Sequence, residues 1–445
     1  MKKQWVILKF GGSSVAKPSH WETIANAVQQ VLDDGDRPLI VLSALKNVSN
    51  ELERLLHEAL ESKFERSLNA LKIRHLDFCK QLGIQLDALL DDYFNQLSLE
   101  CQHIATKQKI TPAAHARVLS YGELLSTQIG ANYLNAKPIR CHWQDVRELL
   151  VSEDSSDEWH HFTSAICQFG RSLELVDKLP QSESVIVTQG FIASDKNQNT
   201  VLLGREGSDT SASYLAAKLG AKRIEIWTDV AGIFSANPRE ITNAQPIDRI
   251  DFEQANDLAR LGAKVLHPRA IEPAASQQIP IKVKSTIDPK QPGTLITATE
   301  GNTGAGIIGI ASEPKVSLLS VPEHFDSEIT RNILAMGFDL LVTLQQENQH
   351  HLVFVYANSD STQPADLEVA QVLPKGLSFQ SGFGLVSLVG NFSLNMLGEL
   401  KRKISSEVSK INSSYQLNDN AICFLTNSQD ALDLSQQLHK LLIEK

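Results

Sequence analysis

Residues 6–15 read VILKFGGSSV: an apolar run carrying one lysine, Lys9, that turns through Gly11 and Gly12 into small hydroxyl residues. The apolar part predicts a buried strand, and the glycines predict a turn leading into a helix. Such a junction presents backbone N–H groups and a positive dipole end, a place for phosphate oxygens. Lys9 adds a movable cation whose stem packs while its ammonium emerges at the carboxyl edge, where doubly wound sheets bind ligands. The pattern is neither GxxxxGK[ST] nor GxGxxG, so neither a Walker loop nor a dinucleotide-binding turn is indicated.

Outward from this stretch the same alternation recurs. Short β-branched runs at residues 37–44 (RPLIVLSA), 184–191 (SVIVTQGF), 200–204 (TVLLG), 223–230 (RIEIWTDV) and 279–286 (IPIKVKST) are predicted strands. Runs this continuously apolar suit parallel strands covered on both faces, with helices predicted between them at 20–32, 210–219 and 252–261. Residues 1–298 are therefore expected to form one doubly wound α/β domain. The stretch 50–110 departs from the alternation. It is nearly strand-free, with Leu52, Leu55, Leu56, Ala59 and Leu60 at helical spacing, and predicts a helical insertion or lid.

DPKQPGT and EGNTGAG then signal a boundary near Gly306, after which the chain repeats itself. VSLLSV begins at Val316 and LVFVYA at Leu352, 36 residues on; LVSLVG begins at Leu385 and AICFLT at Ala421, again 36 residues on. Helices are predicted between the paired strands at 327–336 and 394–411. The repeat predicts two strand–helix–strand modules, 306–380 and 381–445, packed side by side or interleaved. They pair either as a ligand-sensing or dimerisation unit or for purely structural reasons.

Composition narrows the function. At 445 residues the chain predicts two to four domains, and its 42% hydrophobic and 21% charged residues, without low-complexity tracts, predict folding throughout. A net charge of −10 argues against nucleic acid and for a small-molecule ligand. Cys79, Cys101, Cys141, Cys167 and Cys423 form no CxxC pair, which fits reduced thiols packed in a core. Lys2 and Lys3 are not followed by a signal-peptide core, and no run is apolar enough for a membrane span, so a cytoplasmic protein is expected.

Two further constellations carry charge to the sheet edge. In LLGREGSDTSA, residues 202–212, strand, turn and helix recur: Ser208, Asp209 or Thr210 suits a helix cap, and Arg205 suits bidentate grip of a carboxylate. Glu123 in SYGELLST reads as a first-turn carboxylate of a helix over 124–134, where it is a dipole partner or a seat for a ligand ammonium. In IEIWTDVAGIFSANPR, residues 224–239, Thr228 and Asp229 end a strand where a base or ribose can be hydrogen-bonded, while Arg239 and, further on, Lys264 supply charge for phosphates. Singly, each is more often a solvated surface charge. SEDSSDEWHH, residues 152–161, has no element to fix ligand geometry and reads as a solvated loop rather than a metal site. The run Lys401–Lys403 reads as the polar side of a helix, and His267 as a turn residue before Pro268.

With KFGGSSVA, LSALKNVSN, YGELLST, TQGFIA, GREGSDTSA, WTDVAGIF, NPR and GAKVLHP in this order, nearly the whole chain resembles the aspartokinases of the amino-acid kinase family. That resemblance implies an amino-acid-kinase domain followed by two ferredoxin-like ACT modules, matching the repeat. It also implies Mg-ATP-dependent phosphorylation of the β-carboxylate of L-aspartate, the first step toward diaminopimelate, lysine and related amino acids. By the family's pattern Lys9 stabilises the transferring phosphoryl group and Asp209 orients Lys9. Gly11, Gly12 and Ser13 line the phosphates. Arg205 and Glu123 hold the carboxylate and ammonium of aspartate, with Ser43, Ser49 and Ser208 as further contacts. Thr228, Asp229, Phe234, Arg239 and Lys264 hold ATP, and Mg2+ is held mainly through the nucleotide, with no protein metal ligand assigned.

The sequence departs from the family in places. Glu206 replaces a glycine of GRGGSD, Lys46 and Asn47 replace small residues of the loop after the second strand, and Phe234 and Asn237 replace a tyrosine and an aspartate. The first module lacks the Gly-rich turn (here PEHFDSEI) and the effector segment (here LVTLQQENQHH), so weak or absent feedback by lysine is expected. A homodimer or higher homo-oligomer is expected from the ACT modules, which also offer a place for an amino-acid effector. Two other readings remain open: a kinase of another acidic amino acid, and a nucleotide- or amino-acid-binding regulatory protein with little turnover.

Overall fold

Lys9 lies in the middle of a parallel sheet. The computed structural model describes residues 3–180, 185–263, 266–298, 306–346, 349–356 and 363–444, and divides into two compact units, Met1–Gly232 with Arg269–Ala298 and Ile233–Pro268 with Thr299–Lys445.

The first unit runs β1 (Trp5–Phe10), α1 (Pro18–Asp33), β2 (Arg37–Leu42), then four successive helices α2 (Val48–Leu60), α3 (Glu65–Gln81), α4 (Asp87–Lys107) and α5 (Pro112–Ala136). It continues through β3 (Cys141–Trp143), α6 (Glu158–Thr163), α7 (Leu173–Lys178), β4 (Val185–Gln189), β5 (Ile192–Ser194), β6 (Thr200–Leu202), α8 (Gly207–Leu219) and β7 (Arg223–Thr228). After β8 (Arg249–Asp251) and α9 (Phe252–Arg260) of the second unit, α10 (Pro268–Ser276) leads back to β9 (Ile281–Ser285) and β10 (Thr294–Thr297). The first unit's main sheet has the order β3-β4-β2-β1-β7-β9-β10. The pairs β1–β2, β1–β7, β2–β4, β3–β4 and β7–β9 are parallel, and β10 is antiparallel to β9. All six residues of β1 are buried, so the doubly wound reading of residues 6–10 holds, and Lys9 pairs in register with Val41 and Ile226.

Three readings need correction. TVLLG does not join the parallel sheet: β6 folds back on β5 as a short antiparallel ribbon, closed by a turn in which the Asp195 N–H donates to the Asn199 carbonyl (2.9 Å). Helix α5 starts twelve residues earlier than expected, with Thr111 capping the Ala114 N–H and Pro112 in its first turn. Glu123 therefore stands in mid-helix, not in a first turn. The stretch 152–161 is not all loop, because Asp157 caps α6 and starts a helix at Glu158.

The second unit contains the repeat. Its strands are β11 (Gly306–Pro322), β12 (Phe338–Gln346), β13 (Gln349–Tyr356), β14 (Phe379–Asn391), β15 (Ser413–Asn418) and β16 (Ala421–Asn427). Its helices are α11 (Ser327–Ala335), α12 (Asp366–Ala370), α13 (Leu394–Glu407) and α14 (Ala431–Leu442). Each copy has the order βαββα, so β12 and β15 are strands the strand–helix–strand reading left out. The six strands form one sheet, β12-β13-β11-β14-β16-β15, in which the first strands of the two copies pair antiparallel from Gly306↔Asn391 to Leu319↔Phe379. Helix α13 ends at Glu407, earlier than its apolar spacing suggests, because Val408 turns extended (φ −115°, ψ 131°). Val408 and Ile411 still pack on the core from outside the helix. Glu347 and Asn348 of the expected effector segment, and Glu300 to Ala305 at the expected boundary, lie outside the described residues.

Candidate functional site

The glycine turn is stitched to the strand beside it. Gly11 N–H donates to the Trp227 carbonyl (3.3 Å) and Ser14 Oγ donates to the same oxygen (2.9 Å), while Thr286 Oγ1 donates to Ser14 Oγ (2.7 Å). Trp227 is the penultimate residue of β7 and Thr286 follows β9, so the turn is held over the carboxyl ends of three adjacent strands. The Lys9 ammonium folds back over it: a Cβ on Gly11 would stand 3.1 Å from Nζ, and one on Gly12 would stand 3.2 Å from the Ala44 carbonyl oxygen. Neither glycine is needed for a positive φ. Both leave room, one for a cation and the other for the chain after β2, and that cradle fits a phosphate group.

Lys9 Nζ lies 2.6 Å from Asp209 Oδ1, with both side chains about nine-tenths buried. Buried charges persist only when paired, so this pair is the anchor of the site. Asp209 reaches Lys9 because α8 starts very close to the end of β4. A Cβ on Gly190 would fall 2.5 Å from Ser208 Cβ, and Phe191 N–H donates to Ser211 Oγ (2.9 Å). None of Ser208, Asp209 and Thr210 caps the helix. The cap position is Glu206, in the left-handed region at φ +51° and without a side-chain capping bond. That conformation explains why a glycine is the easier residue there. Glu206 is exposed by surface area, yet its carboxyl is crowded by surrounding atoms. Loss of hydration first, and the neighbouring Asp209 carboxylate second, push its pKa up against the pull of Lys9 and Arg205. The Arg205 side chain is exposed and takes no hydrogen bond or ion pair among the described residues.

Glu123 forms the other wall. Gly122 lets α5 approach the loop after β2, since a Cβ there would meet Ala44 Cβ at 2.8 Å, and Ser126 Oγ donates to the Ser43 carbonyl (2.7 Å). Ala44 N–H donates to Glu123 Oε1 (3.1 Å), whereas Oε2 is buried with no partner. Burial raises the Glu123 pKa to about 8, opposed only by hydrogen bonds from backbone amides. A buried carboxylate oxygen with an open acceptor site calls for a cation or an N–H donor. Ser43 N–H donates to the Phe10 carbonyl (3.1 Å), which ties this loop to the end of β1. Ser49 is half-buried in the first turn of α2, after Asn47 at φ +69°, a conformation asparagine tolerates.

The structure thus brings Lys9, Asp209, Gly11, Gly12, Ser13, Ser43 and Glu123 to one edge, with Arg205 and Ser208 on the turn and helix start that carry Asp209. Thr228, whose hydroxyl donates to Asp229 Oδ1 (3.2 Å), ends β7 at the same edge. Phe234, half-buried, and Arg239, exposed, belong to the second unit, and Lys264 lies outside the described residues. Sequence reasoning missed Ser14, Thr286 and Trp227. The second serine of GGSS and the threonine of VKST were visible signals, but their pairing spans 272 residues.

The sequence pattern of the amino acid kinase family matches residues 4–285, which hold every residue of this edge except Thr286. Over 462 residues the chain is 30% identical to lysine-sensitive aspartokinase 3 of Escherichia coli (strain K12), spanning 99% of each. The chain belongs to the aspartokinases. A plant aspartokinase, aspartokinase 1, chloroplastic, of Arabidopsis thaliana, is 28% identical over 98% of this chain and 80% of its own length. Among aspartokinases of known structure, E. coli aspartokinase III in complex with aspartate and ADP (R-state) superposes with a TM-score of 0.81 at 27% identity, covering 99% of this chain and 100% of that one. The same E. coli enzyme in complex with lysine and aspartate (T-state) gives 0.76 at 27% identity, covering 99% of each chain. The fold is therefore the aspartokinase fold, an α/β amino-acid-kinase domain with paired ACT-type modules. Among the described residues no helix is long and apolar enough to cross a membrane, and no group of three or more acidic, His or Cys side chains suits a metal ion.

Proposed function

We propose that the chain transfers the terminal phosphoryl group of ATP to the β-carboxylate of L-aspartate. Family membership supports an ATP-dependent kinase with a carboxyl acceptor, and the observation that carries the substrate assignment is the pair of opposite walls. Lys9 with Asp209 offers a buried cation beside a glycine cradle, and Glu123 offers a buried carboxylate oxygen without a partner. A zwitterion with an extra carboxylate satisfies both walls and places its own charge on the exposed Arg205.

ATP, with Mg2+ held through its phosphates, supplies the phosphoryl group. The acceptor carboxylate is already an anion at neutral pH, so no residue is needed to remove a proton, and catalysis rests on alignment and charge neutralisation. Lys9 sits where charge builds on the moving group, held by Asp209. Gly11, Gly12 and Ser13 line the phosphates. Glu123 takes the substrate ammonium and Arg205 its carboxylate, with Ser43, Ser49 and Ser208 lining the pocket. Thr228, Asp229, Phe234, Arg239 and Lys264 hold the nucleotide. On this reading the catalytic domain, residues 1–298, comprises the whole first unit and the segment Ile233–Pro268, and modules 306–380 and 381–445 complete a cytoplasmic homodimer or higher homo-oligomer.

Hydroxamate trapping with ATP, Mg2+ and each of aspartate, glutamate and N-acetylglutamate tests the reading. Product with aspartate alone supports it. Faster product with glutamate or N-acetylglutamate reassigns the substrate, and nucleotide binding without product makes the chain a regulatory protein. Lysine at millimolar concentration is expected to inhibit weakly or not at all, and strong inhibition would refute that part.

A further inference from the structure

Far along the chain from Lys9, a serine, a histidine and a glutamate make a hydrogen-bonded relay inside the second unit. Ser235 and His439 are buried, at 3% and 0% exposure. Ser235 Oγ accepts from the Gln245 N–H (2.8 Å) and lies 2.9 Å from His439 Nε2, while the Glu444 carboxylate, which can only accept, faces Nδ1 and places the proton of the neutral ring there. Nε2 is then the acceptor, and Nδ1–H donates to Glu444 Oε1 (3.0 Å). The other oxygen of Glu444 accepts from Asn243 Nδ2 (3.1 Å). The circuit leaves the loop at Ser235 and returns to it at Asn243.

The order Ser–His–Glu is that of a hydrolase triad, but this serine is no nucleophile. It is buried, and its backbone is used as fully as its hydroxyl: Ser235 N–H donates to the Gln245 carbonyl (2.8 Å), and Ile310 N–H donates to the Ser235 carbonyl (2.7 Å). Ser235 is a pin. On either side of it stand Phe234 and, four residues on, Arg239. Ala236 and Ile241 of the same loop are buried in one cluster with Leu434 and Leu438 of α14, and Gln436 Nε2 donates to the Glu240 carbonyl (3.3 Å).

We propose that His439 is a positioning residue for nucleotide, holding the loop that carries Phe234 and Arg239 through its bond to Ser235, with Glu444 fixing the imidazole. This rests on the assignment of that loop to nucleotide binding. The C-terminal helix, remote in sequence from the glycine turn, thereby sets the affinity for ATP without touching it. Apolar packing alone would dock α14 on the loop. A saturated polar circuit adds a single geometry, because each donor and acceptor in it has one partner to satisfy.

The test uses the full chain. His439→Phe keeps ring and volume but removes both nitrogens, while His439→Gln offers an acceptor to Ser235 and a donor to Glu444. Mg-ADP affinity is measured by calorimetry, KM for ATP and for aspartate by hydroxamate formation, and secondary structure by circular dichroism. His439→Phe is expected to weaken ADP and raise KM for ATP about tenfold, the size expected for loss of the buried hydrogen bond that pins Ser235, with KM for aspartate within twofold of wild type. His439→Gln is expected to recover most of the loss. Should His439→Phe not fold, Ser235→Ala carries the test with the same expected ADP effect. The proposal is overturned if a folded His439→Phe, or Ser235→Ala in its place, binds ADP within twofold of wild type. It is equally overturned if KM for ATP and KM for aspartate rise together, which is what general loosening would give. Wild-type protein that binds no ADP would sink the functional reading as well, so the two failures are told apart by the wild-type titration.

Discussion

Glu123 makes the pH dependence of aspartate binding a quantitative test of the site. Its pKa of about 8 means that near pH 7 only about a tenth of the ligand-free protein carries the carboxylate that an ammonium needs. If binding selects that ionised form, apparent affinity should improve about fiftyfold from pH 6 to pH 8, and about 0.9 proton should be released at pH 7. Stability of the ligand-free protein should move the other way. The folded pKa lies above the unfolded value of 4.5, so the folded state holds the extra proton between the two. The contribution of Glu123 is then fully present at low pH and is lost as pH rises through about 8, by at most about 5 kcal/mol. Calorimetric titration of aspartate in two buffers of different ionisation enthalpy, across pH 6 to 8, measures the slope and the proton count. In Glu123→Gln both should vanish, along with that part of the stability decline. A wild-type dissociation constant flat to within twofold over this range, or a slope that survives in Glu123→Gln, would refute the assignment of Glu123 to the ammonium.

The remaining expectations concern the wall around Lys9. Lys9→Met should lower kcat by about 10²–10³-fold with little change in KM for aspartate, whereas Arg205→Ala should chiefly raise that KM, by about 10- to 100-fold; steady-state kinetics that rank them the other way would exchange their roles. Glu206→Gly relieves a left-handed residue and should gain roughly 0.5–1 kcal/mol in urea denaturation, while lowering KM for aspartate by removing a carboxylate beside Arg205. Gly190→Ala places a methyl 2.7 Å from Ser208 Cα. It should cost about 1–3 kcal/mol and lower kcat at least tenfold through a displaced Asp209, a loss readable in the same assays.

What the sequence made legible was local. Lys9, the glycine turn and the start of α8 were readable because glycines, hydroxyl residues and strand ends lie within a few positions of one another. Glu123 reads from sequence as a first-turn residue and stands in the middle of its helix. Residues from Ala114 to Leu134 are buried on nearly every face of α5, so no amphipathic stripe marked its beginning, and only Thr111–Pro112 did. The strands β12 and β15 were hidden for the opposite reason: both are sheet edges, and β15 alternates exposed residues with covered ones, of which only Tyr415 is buried, instead of forming an apolar run. The left-handed backbone at Glu206 left no trace, since glutamate gives no hint of positive φ. Nor could spacing reveal Ser235 and His439, which are 204 residues apart.

The antiparallel run that joins β11 to β14 matches like with like. It is the contact two separate copies of one module would make about a two-fold axis, here written into a single polypeptide. Fusion makes that assembly independent of dilution, since the second half is always at hand. It also frees the halves to diverge. One core has taken Ala236 and Ile241 from outside the repeat, while the other, around Phe338 and Phe354, is built from its own copy and the shared strand. The two-fold pair is in this way made unequal: among the described residues, one core is completed by a segment outside the repeat and the other is not.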